Sequence, residues 1–264
     1  MNPLKVTGHR PWPLPEGPWI MSQTWHHLLF AHWRMDPAAL RPMIPLGLEL
    51  DTYRGEAWIG IVPFGMRSVR LRGLPPIPGL SSSLELNVRT YVTCGGWPGV
   101  LFFSLDAGHP LAVAGARKLL GLPYFRARMS LEQTEDGVRF SSARLRGRGA
   151  GAGFEGIYRP TGEAAPARAG TLEAWLTERY RLYNANRGGV TYIDIHHVPW
   201  PLQPAELKCR ANTIAQPAGL PLPSGEPLLH YAEEQLVRIW PQRRMLTGDK
   251  PMRNAARTTP SGRE

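Results

Sequence analysis

The chain has 264 residues, a formal charge of +10, 42% hydrophobic and 20% charged residues, 28 glycines and 27 prolines. This composition excludes a disordered chain and is ample for a sizeable core; two cysteines exclude a disulfide framework. No apolar run reaches the roughly 18 residues of a membrane helix, and the weight of glycine and proline favours short strands joined by turns over a helix bundle.

The opening MNPLKVTGHRPWPLPEGPW has no signal-peptide apolar core, so residues 1–18 read as an irregular proline-rich arm of a cytoplasmic protein. One domain is expected over 19–242. A strand is predicted from Trp19 through Arg34, and Asp36 is placed to cap a short helix beginning at Pro37. A turn at 51–56 leads into the strand AWIGIVPFGMRSVRL, and a long loop at 73–83 follows. Two strands flanking Trp97-Pro98-Gly99 should pair as a hairpin, followed by a helix over Leu111 to Leu120. MSLEQTEDGVRFSSARL reads as a second hairpin around Glu135-Asp136-Gly137. GRGAGAG (147–153) lacks the lysine and hydroxyl residue of a phosphate loop and is read as a linker. The spacing of Leu172, Trp175, Leu176 and Tyr180 predicts an amphipathic helix over Thr171 to Tyr183. Strands are expected at Val190–His197 and Leu207–Cys209, a strand or helix at Leu229–Ile239, and a basic disordered tail over 243–264.

Within the first hairpin, Glu85, Asn87, Arg89 and Tyr91 alternate with Leu84, Leu86, Val88 and Val92. A strand with one polar face is unremarkable against solvent, but inside a barrel that face would line a binding site. Glu85 is then either an acid–base group whose pKa desolvation would raise, or half of a strand-face ion pair with Arg89. Arg89 could anchor a ligand carboxylate instead. Asn87 either binds a ligand or satisfies backbone groups.

The net charge invites a nucleic-acid ligand, but only four lysines occur, the arginines are scattered, and no nucleic-acid-binding motif accompanies them. Such a partner, or another acidic one, is the weakest of the readings kept. His26, His27, His32, His196 and His197 do not have metal-site spacing, and neighbours on a strand should face opposite ways, so no metal or cofactor is expected.

FAHWRMDPAALRPMIPLGLELD, GEAWIGIVPFGM, ELNVRTYV, ARKLLGLPYF, LTERYRLY and HHVPWPL together resemble the YqjF-like family, domain of unknown function 2071. That family is similar to the acetoacetate decarboxylase superfamily. The resemblance implies a mainly-β (α+β) fold, a barrel with a central cavity and a few peripheral helices. It matches Glu85 to the decarboxylase strand glutamate, Arg117 to the helix arginine, and Gly121-Leu122-Pro123 to a Gly-x-Pro that precedes the Schiff-base lysine. Tyr124 and Phe125 stand where the lysines would be, and neither can form an imine. Lys118 lies six residues before Tyr124, out of register, beside Arg117.

Two functions follow. One is a barrel that binds a small organic acid or carbonyl compound through Asn87, Arg89 and Arg117, with homo-oligomerisation open. The other is a non-imine acid–base enzyme acting on a keto acid, with Glu85 carrying the proton and Tyr124 supporting the oxyanion.

Overall fold

The structure is a computed structural model describing residues 2–79, 81–109, 121–147, 149–186, 188–220, 222 and 225–246. The predicted helix over 111–120, with Arg117 and Lys118, and the tail from 247 onward lie outside these. Alternating apolar and polar residues give long strands: β1 (Met21–Met35), β2 (Glu49–Leu50), β3 (Ala57–Leu71), β4 (Ser83–Cys94), β5 (Trp97–Ala107), β6 (Tyr124–Thr134) and β7 (Gly137–Arg144). They continue as β8 (Gly153–Pro160), β9 (Arg181–Asn186), β10 (Gly189–His196), β11 (Gln203–Asn212), β12 (Leu228–Ile239) and β13 (Arg243–Arg244). Helix α1 (Pro37–Leu40) follows β1, and α2 (Leu172–Thr177) precedes β9. Asp36 caps α1 as its sequence predicts, accepting from the Ala38 amide at 2.8 Å. The fold is mainly β.

Strand pairing closes on itself twice. One circuit runs β4, β3, β1, β12, β10, β9, β5 and back to β4. The other shares β12, β1, β3, β4 and β5 but returns through β6, β7, β8 and β11. β4 therefore serves two cores. Leu86 and Val88 pack with Leu29, Ile61, Phe140 and Phe154 in the second circuit. The opposite face, carrying Glu85, Asn87, Arg89 and Tyr91, turns towards the first, where Phe30, Val62, Phe64, Leu105, Ile195 and Val237 are buried.

Several expectations are corrected. The β4–β5 turn is Gly95-Gly96, not Trp97-Pro98-Gly99: Cys94 pairs with Trp97, and both glycines have positive φ (57° and 82°), as a two-residue hairpin turn requires. The helix over 171–183 stops after Thr177. Thr171 caps it, but Arg179 pairs with Asp51 at 2.7 Å and Arg181 with Asp194 at 2.8 Å, drawing the following residues into extended β9. The glycine-rich run read as a linker joins the paired strands β7 and β8, with the Gly151 N–H donating to the Arg144 carbonyl. Leu229–Ile239 lies in a strand, and Arg243–Arg244, placed in the tail by sequence, pairs with β10. The N-terminal arm is irregular apart from a short 3-10 turn, yet Arg10 and Trp12 are buried in it.

Candidate functional site

On β4 the candidate face is walled by its register partners. Glu85 lies between Phe64 and Ala107, Asn87 between Val62 and Leu105, and Arg89 between Gly60 and Phe102, where a bulge in β5 shifts the pairing. The walls are thus apolar, and the polar groups have few partners there.

Glu85 is 7% exposed and accepts a hydrogen bond from the Tyr124 hydroxyl at 2.9 Å. Tyr124 is delivered by the first residue of β6, which runs parallel to β5 with Tyr124 beside Leu105. Burial pushes the Glu85 carboxyl up to about 7, and the Tyr124 hydrogen bond only partly opposes this. Burial, then the Glu85 charge, holds Tyr124 well above its ordinary value, so it remains a proton donor. The ion pair offered as the alternative for Glu85 is not formed: Arg89 instead donates to the Leu176 carbonyl at 3.4 Å and lies over the Phe30 and Tyr91 rings. Asn87 is 5% exposed and its Oδ1 has no partner, nor does Nε of Arg89.

Beyond Arg89, His32 meets the Tyr91 hydroxyl at 2.7 Å, and burial followed by the Arg89 charge holds its imidazole well below the usual range. His32 thus extends the polar face as a neutral ring. In the sequence His32 stands out only as a candidate metal ligand; in the structure it lies against Gly60, where a side chain would crowd His32 (3.1 Å) and Arg89 (3.4 Å).

Among the described residues no group of three or more histidine, cysteine, aspartate or glutamate side chains converges. The rule that adjacent histidines face apart fails at His26 and His27. His27 has φ of 52° at an irregularity in β1, which brings the two rings to 5.1 Å. Glu85, Asn87, Arg89 and Tyr124 are therefore described on or against one face; Arg117 lies outside the described residues.

The arrangement of strands is that of the acetoacetate decarboxylase-like fold. MppR, an enduracididine biosynthesis enzyme solved with pyruvate, matches with a TM-score of 0.58 at 13% identity, over 88% of this chain and 91% of that one. Acetoacetate decarboxylase from Legionella pneumophila matches with a TM-score of 0.54 at 16% identity, over 87% of each chain. The chain belongs to the family DUF2071, an uncharacterized conserved protein family, which it matches over residues 22–235. It is also 49% identical over 231 residues to the uncharacterized protein YqjF of Bacillus subtilis (strain 168), across 88% of this chain and 95% of that protein.

Proposed function

We propose that the polar face of β4 binds a small organic acid or carbonyl compound without an imine. The observation that carries this reading is Glu85: a carboxyl nine-tenths buried among apolar walls, bonded to Tyr124, beside an Asn87 acceptor that the protein leaves unmet. An unpaired buried amide oxygen costs about 1–3 kcal/mol, so a ligand O–H that reaches it gains what the fold forgoes. Arg89 supplies a cation for a carboxylate, and a neutral Glu85 can donate to a carbonyl oxygen. A fold neighbour solved with pyruvate supports the same ligand class.

The near-neutral position of Glu85 favours a second reading on the same face, acid–base turnover of a keto acid. Glu85 as carboxylate would take a proton from the carbon next to the carbonyl, and Tyr124 would support the enolate oxygen as the charge moves to it. The enol form presents an O–H that matches the Asn87 acceptor.

A thermal-shift series with pyruvate and longer keto acids tests the binding reading. Ligand at a hundred times its Kd adds about 2.7 kcal/mol, and the shift is expected to vanish in Arg89→Ala. Deuterium exchange into the pyruvate methyl, followed by NMR, tests turnover: exchange should be lost in Glu85→Gln while binding survives. Pyruvate and longer keto acids that fail to stabilise the wild type, or that stabilise Arg89→Ala equally, would overturn the carboxylate site.

A further inference from the structure

The end of β3 carries arginines that the neighbouring strands leave without a counter-ion. Arg70 pairs across to Ser22 on β1, and Ser22 pairs with Arg238 on β12, so the three share one row and one side of the sheet. Arg238 donates to the Ser22 hydroxyl, while its Nε is buried without an acceptor. Burial and then the Arg70 charge lower Arg238, as expected of two close cations. Arg72 lies two residues on, its amide donating to the Ile20 carbonyl at 2.9 Å. The guanidiniums of Arg72 and Arg238 lie 5.5 and 4.5 Å from the centre of the Trp19 ring. Among the described residues none of these three arginines forms an ion pair. Arg67 does, and it takes Glu234, the acidic residue of β12 nearest in sequence to Arg238. No aspartate or glutamate occurs from Ala57 to Leu84.

The chain that follows projects from the sheet. Gly73, with φ of 79°, lies in a turn where the Leu74 amide donates to the Leu71 carbonyl at 3.1 Å. The Val69 amide donates to the Ser81 carbonyl at 3.0 Å and clamps the base of the loop. Every residue from Leu71 to Gly79 is exposed, and Leu71, Leu74 and Ile77 are each more than half exposed. Ile20, bonded to Arg72, is exposed as well. Pro75, Pro76 and Pro78 fix their own φ and hold Leu74 and Ile77, which precede prolines, extended. Such a loop is stiff and loses little freedom on binding.

We infer that this end of the molecule docks on an anionic phospholipid surface. Arg70, Arg72 and Arg238 meet the headgroup phosphates, and Leu71, Leu74 and Ile77 enter the acyl boundary. Trp19 supplies the amphipathic ring that settles at such an interface. A second copy of the chain fits less well, because a two-fold contact centred on this patch would set the arginines against themselves. Among the described residues no helix is long and apolar enough to cross a membrane, and the contact needs none. The inference does not rest on the function proposed for Glu85.

The test is co-sedimentation of the full chain with vesicles of phosphatidylcholine alone or mixed equally with phosphatidylglycerol. Binding to the mixed vesicles only, weakened by salt, is expected. Arg70→Ala with Arg72→Ala should bind about 25-fold more weakly, at about fivefold for each cation near the surface. Leu74→Ser with Ile77→Ser should lose about tenfold by removing the inserted apolar groups. All four positions are exposed, and an unchanged urea midpoint verifies the fold of each double variant. A wild type that fails to bind the mixed vesicles overturns the inference, as does equal binding by the arginine variant. Binding retained in full by the serine variant overturns it as well, leaving an arginine site for phosphate esters in solution. Self-association of the wild type that the serine variant abolishes assigns the loop to a second copy and overturns it too.

Discussion

Glu85 and Asn87 are two residues apart on one strand, and each holds a polar group that the fold would be more stable without. For Glu85 the sign of the pH effect is fixed by burial. Its folded pKa, about 7, lies above the unfolded value near 4.5. The folded state therefore keeps a proton that the unfolded state releases, and the contribution to stability is lost as pH rises from about 4.5 through 7. Glutamine stays neutral throughout, so the stability of Glu85→Gln relative to wild type should climb by about 3 kcal/mol between pH 4.5 and 8, measured by urea unfolding at each pH. A flat difference would mean that the carboxyl is ionised in the folded protein. At Asn87, leucine would fill a site walled by Val62 and Leu105 and remove the unpaired oxygen. Asn87→Leu should raise stability by about 1 kcal/mol and abolish any thermal shift from a keto acid bound on this face.

The elements are held in place by close approaches that only small residues allow. At Gly99 an added Cβ would come within 2.5 Å of the Arg181 carbonyl and 2.7 Å of the Tyr183 ring. That is where β5 meets β9 through the Val100–Leu182 and Leu101–Tyr183 pairs. Gly99→Ala should therefore destabilise the protein by roughly 1–3 kcal/mol, seen as a lower urea midpoint. How far sequence reading reached follows from the same physics. The two-residue period of LELNVRTYV identified the polar face because alternation is local, and Asp36-Pro37 announced α1 because a cap is local too. The helix reading of 171–183 failed because its second half answers to Asp51 and Asp194, which are distant in sequence. No local pattern carries that information. Nor could spacing decide between the Glu85–Arg89 pair and the Glu85–Tyr124 bond, since the second depends on a parallel pairing of β5 with β6.

For the whole molecule, part of the arginine excess is inside. Arg144 pairs with Asp106 at 2.7 Å with both side chains almost fully buried, Arg181 is buried with Asp194, and the buried Arg179 pairs with a half-buried Asp51. These cations are committed to the fold, which weakens the case for an acidic partner. Arg10, also buried, docks the N-terminal arm: it donates to the Ile195 carbonyl at 2.9 Å and contacts His196 Nδ1 at 3.1 Å, while His196 Nε2 reaches the Pro3 carbonyl at 2.8 Å. Burial lowers His9 and brings His196 down to about 4. A freed arm would let these rings protonate near 6.5 where the docked arm does not, so docking weakens as pH falls below 6.5. Glu178 and the backbone carbonyls of His197 and Pro3 oppose this, and the Arg10 charge reinforces it. Hydrogen exchange over residues 2–12 should accelerate between pH 6.5 and 4, corrected for intrinsic rates, before the strands exchange. Uniform protection of the arm down to pH 4 would show that its docking does not depend on these histidines.

The double circuit also sets an order of events during synthesis. β1 can pair with β12 only once Leu228–Ile239 has been made, so the first circuit stays open until most of the chain has left the ribosome. Pairings this distant in sequence form slowly. Until then β4 can pair with β3 and β5 while its polar face remains in water, and Glu85 behaves as an ordinary surface carboxylate. The group on which the proposed chemistry depends acquires its character only when β12 closes the circuit, so a nascent or truncated chain could carry every candidate residue in register and still lack the site.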